Sequence, residues 1–430
     1  MKNQLVLLSL NEINFELIKE YLEDSNLNNF KFLSGKIKLT EANEKYSHLE
    51  PWIQWPSIYT GKSADQHKMF RLGDAVKFDY QTIFNDIENL GIKVGAISPM
   101  NLKNNLKKPC YFIPDPWTET PSDDNFLSKI ISKTLSYFVK ENSNLNLNLK
   151  YYFFLILIFI KFSRLKNYFI YFKLFFTSFN CKWRKALFLD LLINDIHVKY
   201  FKLKKPSFSN IFLNGFAHIQ HHYMFNSKIK NKKQINPYWY VNSKLDPIKE
   251  ALYVYNNILG DYLDDNNKVS VVIATGLSQV PYDRTKFYYR LKSHKSFFKN
   301  FNIKFHSIQE LMSRDFIINF IDKIEAENAY KVISNIKDEN NRNIFGDLEL
   351  NEKSIFTSFI YDEEIKDQKL NSDKEISLKD YVNFVAIKNG MHSSKGYIYS
   401  DLPLINTNEV NINEIKKIIY NFFSKENFAK

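Results

Sequence analysis

The chain is poor in cysteine, with only Cys110 and Cys181 among 430 residues. This excludes a disulfide-stapled fold and suits a reducing compartment. Glycine and proline are scarce as well, at 11 and 12 residues, so collagen-like and other fibrous classes are out. A membrane-spanning run is also missing. The apolar stretch Tyr151 to Ile160 has ten residues, where about twenty are needed to cross ~30 Å of hydrocarbon, and Lys161, Arg164, Lys166 and Lys173 break up the residues after it. At the amino end Met1-Lys2-Asn3-Gln4 runs straight into a short apolar stretch with no cleavage site behind it, which suits a buried first strand and a cytoplasmic product.

Acid is nearly absent from one segment. Between Lys150 and Lys205 there are twelve Lys or Arg against Asp190 and Asp195, so most of the formal charge of +12 is concentrated there. Thirteen aromatic residues lie between Tyr151 and Phe179. Two readings stay open: a helical insertion that packs on the core while its lysines reach water, or contact with an anionic membrane surface, peripheral on the inner face. The dominance of Lys over Arg argues against nucleic acid as a partner.

The rest is ordinary globular material, 44% hydrophobic and 25% charged over the whole chain, enough for a large domain with an inserted subdomain. Leu5 to Leu10 is an apolar run but for Ser9, as expected of a central parallel strand, and helical spacing comes next at Phe15, Ile18 and Tyr21 to Leu22. Ile92 to Ser98 and Val269 to Thr275 read as further strands, after helices near Tyr80 to Leu90 and Tyr253 to Tyr262. Alternating strands and helices predict an open, mostly parallel α/β sheet with helices on both faces and ligands at the carboxyl ends of the strands. The expected division is core over 1–140, basic aromatic helical insertion over 141–206, opened by an alternating Asn/Leu run, core again over 207–312, a small α+β subdomain over 313–385, and core over 386–430.

Five places carry polar residues at strand ends. Asn11-Glu12-Ile13-Asn14 comes directly after the first strand and is either a ligand contact or a helix start with Asn11 as cap. Glu50 to Gly61 holds two Trp and two Pro in six residues, and Pro51 suits the first turn of a helix that Thr60-Gly61 would end. Its amino terminus beside a strand end would suit an anion. Asn214 to Tyr223 carries His218, His221 and His222, which share a helical face at three- and four-residue spacing and so could bind metal. Ala274 to Gln279 ends a strand, with Arg284 and Arg290 beyond. Asn389-Gly390-Met391-His392 through Gly396 reads as a polar glycine loop.

The order of these sites resembles the alkaline phosphatase superfamily, in particular its type I phosphodiesterase and nucleotide pyrophosphatase branch. The match is partial. Asn11 falls where that family has its first metal-binding Asp, with Glu12 beside it, and Pro51 falls at the nucleophile position, with Ser57 and Thr60 elsewhere on the helix. Asn214 replaces an Asp four residues before a retained His218, Gly276-Leu277 stands in place of an Asp-His pair, and His392 matches the last histidine. Too few carboxylates remain for a pair of zinc ions and no nucleophile is kept. The resemblance therefore implies an alkaline-phosphatase-like fold with at most one divalent metal, held by Glu12, His218 and His392, which are also the expected catalytic residues, with His221 or His222 in reserve. Asn11, Trp52, Gln54, Asn214, His222, Arg284 and Lys395 are the expected contacts to a phosphate-containing or nucleotide-sugar substrate. The implied activity is a transferase of surface-polysaccharide assembly; the alternatives are a metal-dependent phosphodiesterase or pyrophosphatase, or a catalytically silent binding protein.

Overall fold

The structure, a computed structural model, describes residues 4–42, 45–140, 148–229, 233–264, 269–311, 314–372, 375–402 and 409–424. The lead-in to the expected insertion, 141–147, lies outside them. The strands in chain order are β1 (Gln4–Leu10), β2 (Lys38–Glu41), β3 (Val94–Ile97), β4 (Tyr111–Ile113), β5 (Phe208–Leu213), β6 (Val269–Ala274), β7 (Ser278–Leu291), β8 (Ser307–Glu310), β9 (Asp315–Asn319), β10 (Phe345–Asn351), β11 (Ser354–Phe359), β12 (Val382–Ser393), β13 (Lys395–Ser400) and β14 (Glu409–Asn411).

Eight of them form one sheet in the order β14-β2-β13-β6-β1-β5-β3-β4. From β6 to β4 every pairing is parallel, while β13 runs antiparallel to β6 and β2. This is a mixed α/β architecture with a large, mostly parallel sheet. The core strand β1 is buried from Leu5 to Leu10, which is why its sequence is apolar on both faces rather than alternating. One core packs Trp55, Tyr59, Phe84, Phe112, Phe208 and Phe212 against the sheet and the carboxyl-terminal helix. Because β6, β1 and β5 are parallel neighbours, the segments that leave them, at Thr275, Asn11 and Asn214, emerge side by side. That edge positions the site.

The helix Pro51–Thr60 begins with Pro51 in its first turn and ends at Gly61 in a left-handed conformation, φ 68°. Pro56 in its interior has no N–H to offer the carbonyl of Trp52. That carbonyl is satisfied instead by Asn101 Nδ2 at 2.8 Å, so the helix keeps an internal proline without an orphaned acceptor. Gly276, φ 73°, lets the chain leave β6 directly under the Trp55 ring, where an added Cβ would sit 3.3 Å from the indole nitrogen.

The basic segment folds as helices Leu149–Phe162, Tyr168–Thr177 and Arg184–Lys204. They are fixed by buried polar contacts, not by apolar packing alone. Arg164 donates from Nε to Asp195 at 2.6 Å and from its other nitrogens to Asp261 at 2.7 and 2.5 Å. Asn167 Nδ2 and the Tyr171 hydroxyl complete the shell of Asp195 at 2.7 and 2.9 Å.

A second compact unit comprises 232–240 and 282–389. Its four-stranded sheet, β10-β11-β9-β8, carries the helix Lys323–Ser334 over a core with Phe297, Phe298, Phe316, Phe345 and Phe359. The strand, helix, strand, strand order read between Asp315 and Tyr361 is the one observed. Its longer segment starts at Tyr282 rather than near 313, because β7 is a single uninterrupted strand and its residues from Tyr282 on belong to this unit.

Two buried histidines set an acid limit on the fold. His197 lies between the Tyr262 hydroxyl and Ser209 Oγ, each at 2.8 Å, and burial pushes it down to about 3. Burial pushes His67 down to about 4. Both are neutral when folded, so below the ordinary value of 6.5 the unfolded chain takes up protons that the native state refuses. The stability they contribute is complete above pH 6.5 and is lost as the pH falls toward 4 and then 3. The expected result is a urea midpoint, read from Trp fluorescence, that drops between pH 6.5 and 4, with a shallower drop in His197→Gln. A midpoint flat across that range would contradict the assignment.

Candidate functional site

Asn11 and Glu12 leave the end of β1 tied to both neighbouring strands: Asn11 N donates to Leu213 O at 3.1 Å and Glu12 N to Thr275 O at 3.0 Å. Glu12 adopts φ 59°, a left-handed conformation uncommon for a side chain of its size. It is held there by those bonds and by Gln220 Nε2, which donates to the Glu12 carbonyl at 2.7 Å. The twist turns the carboxylate toward the helix Gly215–Tyr223 and the end of β12. Asn11 is not the cap of the first helix; Asn14 is, accepting from Glu16 N and Leu17 N.

Around the Glu12 carboxylate four side chains converge. His221 Nε2 lies 3.0 Å from Oε2 and His392 Nε2 3.4 Å from it. Gln279 Nε2 donates to the same oxygen and to Ala217 O, and Asn11 Nδ2 donates to Oε1 at 3.0 Å. Asn11 also reaches Asn214 Oδ1 at 2.7 Å, while its own oxygen accepts from Trp55 Nε1 at 2.8 Å. Glu12 is 1% exposed. Burial alone would push its carboxyl up, but the His392 and His221 rings, by charge and by hydrogen bonding, hold it well below the usual carboxylate range. It is ionised at neutral pH.

The outer sides of the two rings are also engaged. His221 Nδ1 faces Gly390 O at 3.2 Å, and a carbonyl can only accept, so Nδ1 carries a proton. His392 Nδ1 faces the Glu50 carboxylate at 3.5 Å. In both rings Nε2 is therefore the nitrogen left to point at Glu12. A backbone carbonyl or carboxylate behind Nδ1, with Nε2 facing inward, is the arrangement of metal-binding histidines. Glu12, His221 and His392 each offer one ligand atom, all within 4.8 Å of one another. One carboxylate and two imidazoles suit a single zinc or other first-row divalent ion.

Gly390 makes this approach possible. A Cβ there would lie 2.2 Å from Gln279 Oε1 and 2.9 Å from Gln220 O. Gly390 and His392 sit at the end of β12, not in the glycine loop expected from the sequence. The helix that carries His221 is anchored at its first residue, where Gly215 N donates to Asp190 Oδ2 at 2.6 Å and Tyr255 OH donates to the same oxygen. Burial pushes the Asp190 carboxyl up to about 6.

Of the other residues expected at the site, His218 is on the exposed side of its helix, ring to ring with His222 at 4.9 Å, and is not in the three-ligand group; His221, one turn later, is. His222 is buried. Trp52 is partly buried against the main core with its indole nitrogen on Phe70 O at 3.2 Å. Gln54 is fully buried and donates to His48 O at 2.8 Å. Lys395 is exposed at the start of β13. Arg284 belongs to the second unit and pairs there with Asp362 at 2.8 Å. The parts played by Gln279, Gln220 and Glu50 are not visible in the sequence. The available signal is a polar side chain, Gln279, inside a run of strand residues, which reads equally well as an ordinary strand end.

Ser57 and His67, 2.9 Å apart, have the look of a nucleophile and its base. The hydrogen bonds decide otherwise. Met69 N donates to His67 Nδ1 at 3.0 Å, so the ring proton is on Nε2 and points at Ser57, whose hydroxyl in turn bonds Ile53 O at 3.1 Å. His67 has no lone pair left for the serine proton, and Thr60 Oγ1 is likewise committed to Pro56 O. Ser57→Ala is expected to leave turnover within about threefold while costing roughly 1–3 kcal/mol of stability through the orphaned His67 N–H. A hundredfold loss of activity in a folded Ser57→Ala protein would restore it as a nucleophile.

No family model and no curated protein matches this sequence. Among solved structures, a phosphonoacetate hydrolase from Sinorhizobium meliloti in complex with phosphonoformate is similar at 9% identity and TM-score 0.42, covering 98% of this chain and 96% of that one. Human ectonucleotide pyrophosphatase/phosphodiesterase 5 is similar at 10% identity and TM-score 0.41, with 98% and 94% covered. An alkaline phosphatase from the Antarctic bacterium TAB5 is similar at 8% identity and TM-score 0.41, with 98% of each chain covered. All three are alkaline phosphatase superfamily members, the group whose motif order the sequence resembles. At such identities and TM-scores, the fold description stands on strand order and register alone.

Proposed function

We propose that this chain is an enzyme acting on a phosphate-containing substrate through a site centred on Glu12, His221 and His392, with direct transfer to an acceptor and no covalent intermediate on the protein. The observation that carries the reading is the ionised, buried Glu12 carboxylate 3.0 and 3.4 Å from two imidazoles brought in from separate segments. Buried carboxylates paired with histidines in this way are characteristic of reactive sites. The commitment of Ser57 and Thr60 to helix hydrogen bonds supports a single displacement, since neither aliphatic hydroxyl of the helix is free to attack.

Each role rests on a contact. Glu12 fixes both rings, Gln279 and Asn11 hold its two oxygens, and Glu50 and the Gly390 carbonyl set the ring tautomers. A divalent ion held by Glu12, His221 and His392 would supply Lewis acidity toward a phosphoryl oxygen. In its absence, one imidazole can pass a proton to or from the acceptor. Hydrolysis and transfer to a sugar hydroxyl share this step and differ in the acceptor. The finer form of the proposal is a transferase with a nucleotide-activated sugar as donor: the acceptor oxygen bonds to the sugar-bearing phosphorus and gives up its proton, while the bridging P–O bond breaks and the nucleoside monophosphate leaves.

The test is turnover of bis(nitrophenyl) phosphate, phosphonate esters and nucleotide sugars by protein prepared without chelator, with bound metal counted by mass spectrometry. We expect at most one equivalent of metal and inversion of configuration at phosphorus. Two equivalents, or retention of configuration, would overturn the proposal. Binding of these compounds without turnover under any metal condition would make the chain a binding protein instead.

A further inference from the structure

We infer that the outer faces of the helices Leu149–Phe162 and Tyr168–Thr177 form a docking surface for an anionic lipid membrane. This rests on the surface of that segment and is independent of the reading of the Glu12 site.

The first helix is apolar all round, yet only one side is covered. Ile158 and Phe162 are buried, while Phe153, Ile156, Leu157 and Ile160 are exposed and fall on one face at helical spacing. The second helix repeats the pattern: Tyr171 and Leu174 are buried, while Phe169, Phe172 and Phe176 stand out, Phe169 at 80% exposure. Phe159 and Tyr171 both pack on Phe188 of the helix Arg184–Lys204, at 5.8 and 5.0 Å between rings. The two helices therefore lie on a common base, and their exposed faces point away from it. Soluble surfaces rarely leave so many large apolar side chains uncovered together, and such a patch marks an interaction site.

Charge selects the occupant. No Asp or Glu occurs from 142 to 189. The two arginines of this stretch are consumed inside the fold, Arg164 by Asp195 and Asp261 and Arg184 by Glu250. The exposed cations that remain are lysines, with Lys150 and Lys161 three turns apart on one flank of the apolar stripe and Lys173 on the second helix. Exposed aromatic rings bordered by lysine, with no acid among them, complement a headgroup layer that is apolar below and anionic above. No helix among the described residues is long and apolar enough to cross a membrane, so the surface lies on the bilayer rather than through it.

The test uses the full chain and vesicles of phosphatidylcholine alone or with a third phosphatidylserine, with sedimentation at low and high salt and light scattering on the free protein. We expect binding to the anionic vesicles that weakens as salt rises and little binding to the neutral ones. The triple variant Phe169→Ser, Phe172→Ser, Phe176→Ser, whose thermal transition should match the parent because these rings are exposed, is expected to bind at least tenfold more weakly. Changing Lys150, Lys161 and Lys173 to Gln should weaken binding about tenfold or more on anionic vesicles only. No binding by the parent overturns the inference. So does a parent that is a dimer, becomes a monomer in the triple variant and ignores vesicles, because the face then serves a second copy of the chain.

Discussion

Glu12→Gln is expected to lower kcat roughly a thousandfold, within the hundred- to ten-thousandfold range typical of groups that control proton transfer, with little change in KM. The substitution keeps the shape and one acceptor oxygen, enough for Gln279 or Asn11 but not both, and the charge that holds His221 and His392 is gone. Bound metal, where the parent has it, should fall in parallel. The measurement is steady-state kinetics beside a thermal melt. An unfolded Glu12→Gln protein would make the residue structural, and a folded variant with full turnover would remove it from the reaction. His221→Gln should behave like Glu12→Gln, whereas His218→Gln, on the exposed side of the same helix, should lose much less. Equal losses at 218 and 221 would mean that the helix as a whole, and not one ring, matters.

Asp195→Ala is expected to be among the most destabilising single changes, by about 3–5 kcal/mol, since it strips the acceptor from Arg164 Nε, Asn167 and Tyr171 at once and leaves Arg164 with Asp261 alone. Asp195 accepts from Arg164, Asn167 and Tyr171 and is itself fully buried. Those three donors fasten the junction between the two aromatic helices to the helix Arg184–Lys204. Denaturant titration should show the loss, and proteolysis of the native protein should begin between Ser163 and Tyr168. Asp195→Asn, which keeps the shape and one acceptor oxygen, should recover part of the loss. A variant with Ala at 195 as stable as the parent would show that the apolar contacts alone seat the segment.

Much of the architecture was legible because buried parallel strands write themselves as nearly continuous apolar runs, here broken only by Ser9 and Ser270 before the closing Thr275. Leu5 to Leu10 and Val269 to Thr275 match β1 and β6 to within one residue. Pro51 and Gly61 marked both ends of their helix, since one lacks only an N–H that would be orphaned there and the other accepts positive φ. The site was legible in part. Glu12 and His392 were expected together and are together, but the choice among three histidines on one helix depends on how the helix is rotated. That rotation is set by Asp190 and Tyr255, distant in sequence. Gln279 lies in one of the five polar places, but its part is hidden there because it depends on the partner the side chain meets, not on its spacing. The length of β7 and β12 was hidden too, as their solvent-facing residues dilute any apolar pattern.

The backbone bonds at Asn11 and Glu12 have one more effect. Both amides are locked to strands on either side of the most interior strand of the sheet. Their protons can exchange with solvent only when the middle of the sheet opens, so the Glu12 carboxylate sits in the slowest-opening part of the large sheet. Such a centre gains little from local breathing. Local movement around Glu12 falls instead to His221 and His392, whose supports lie outside the sheet's middle.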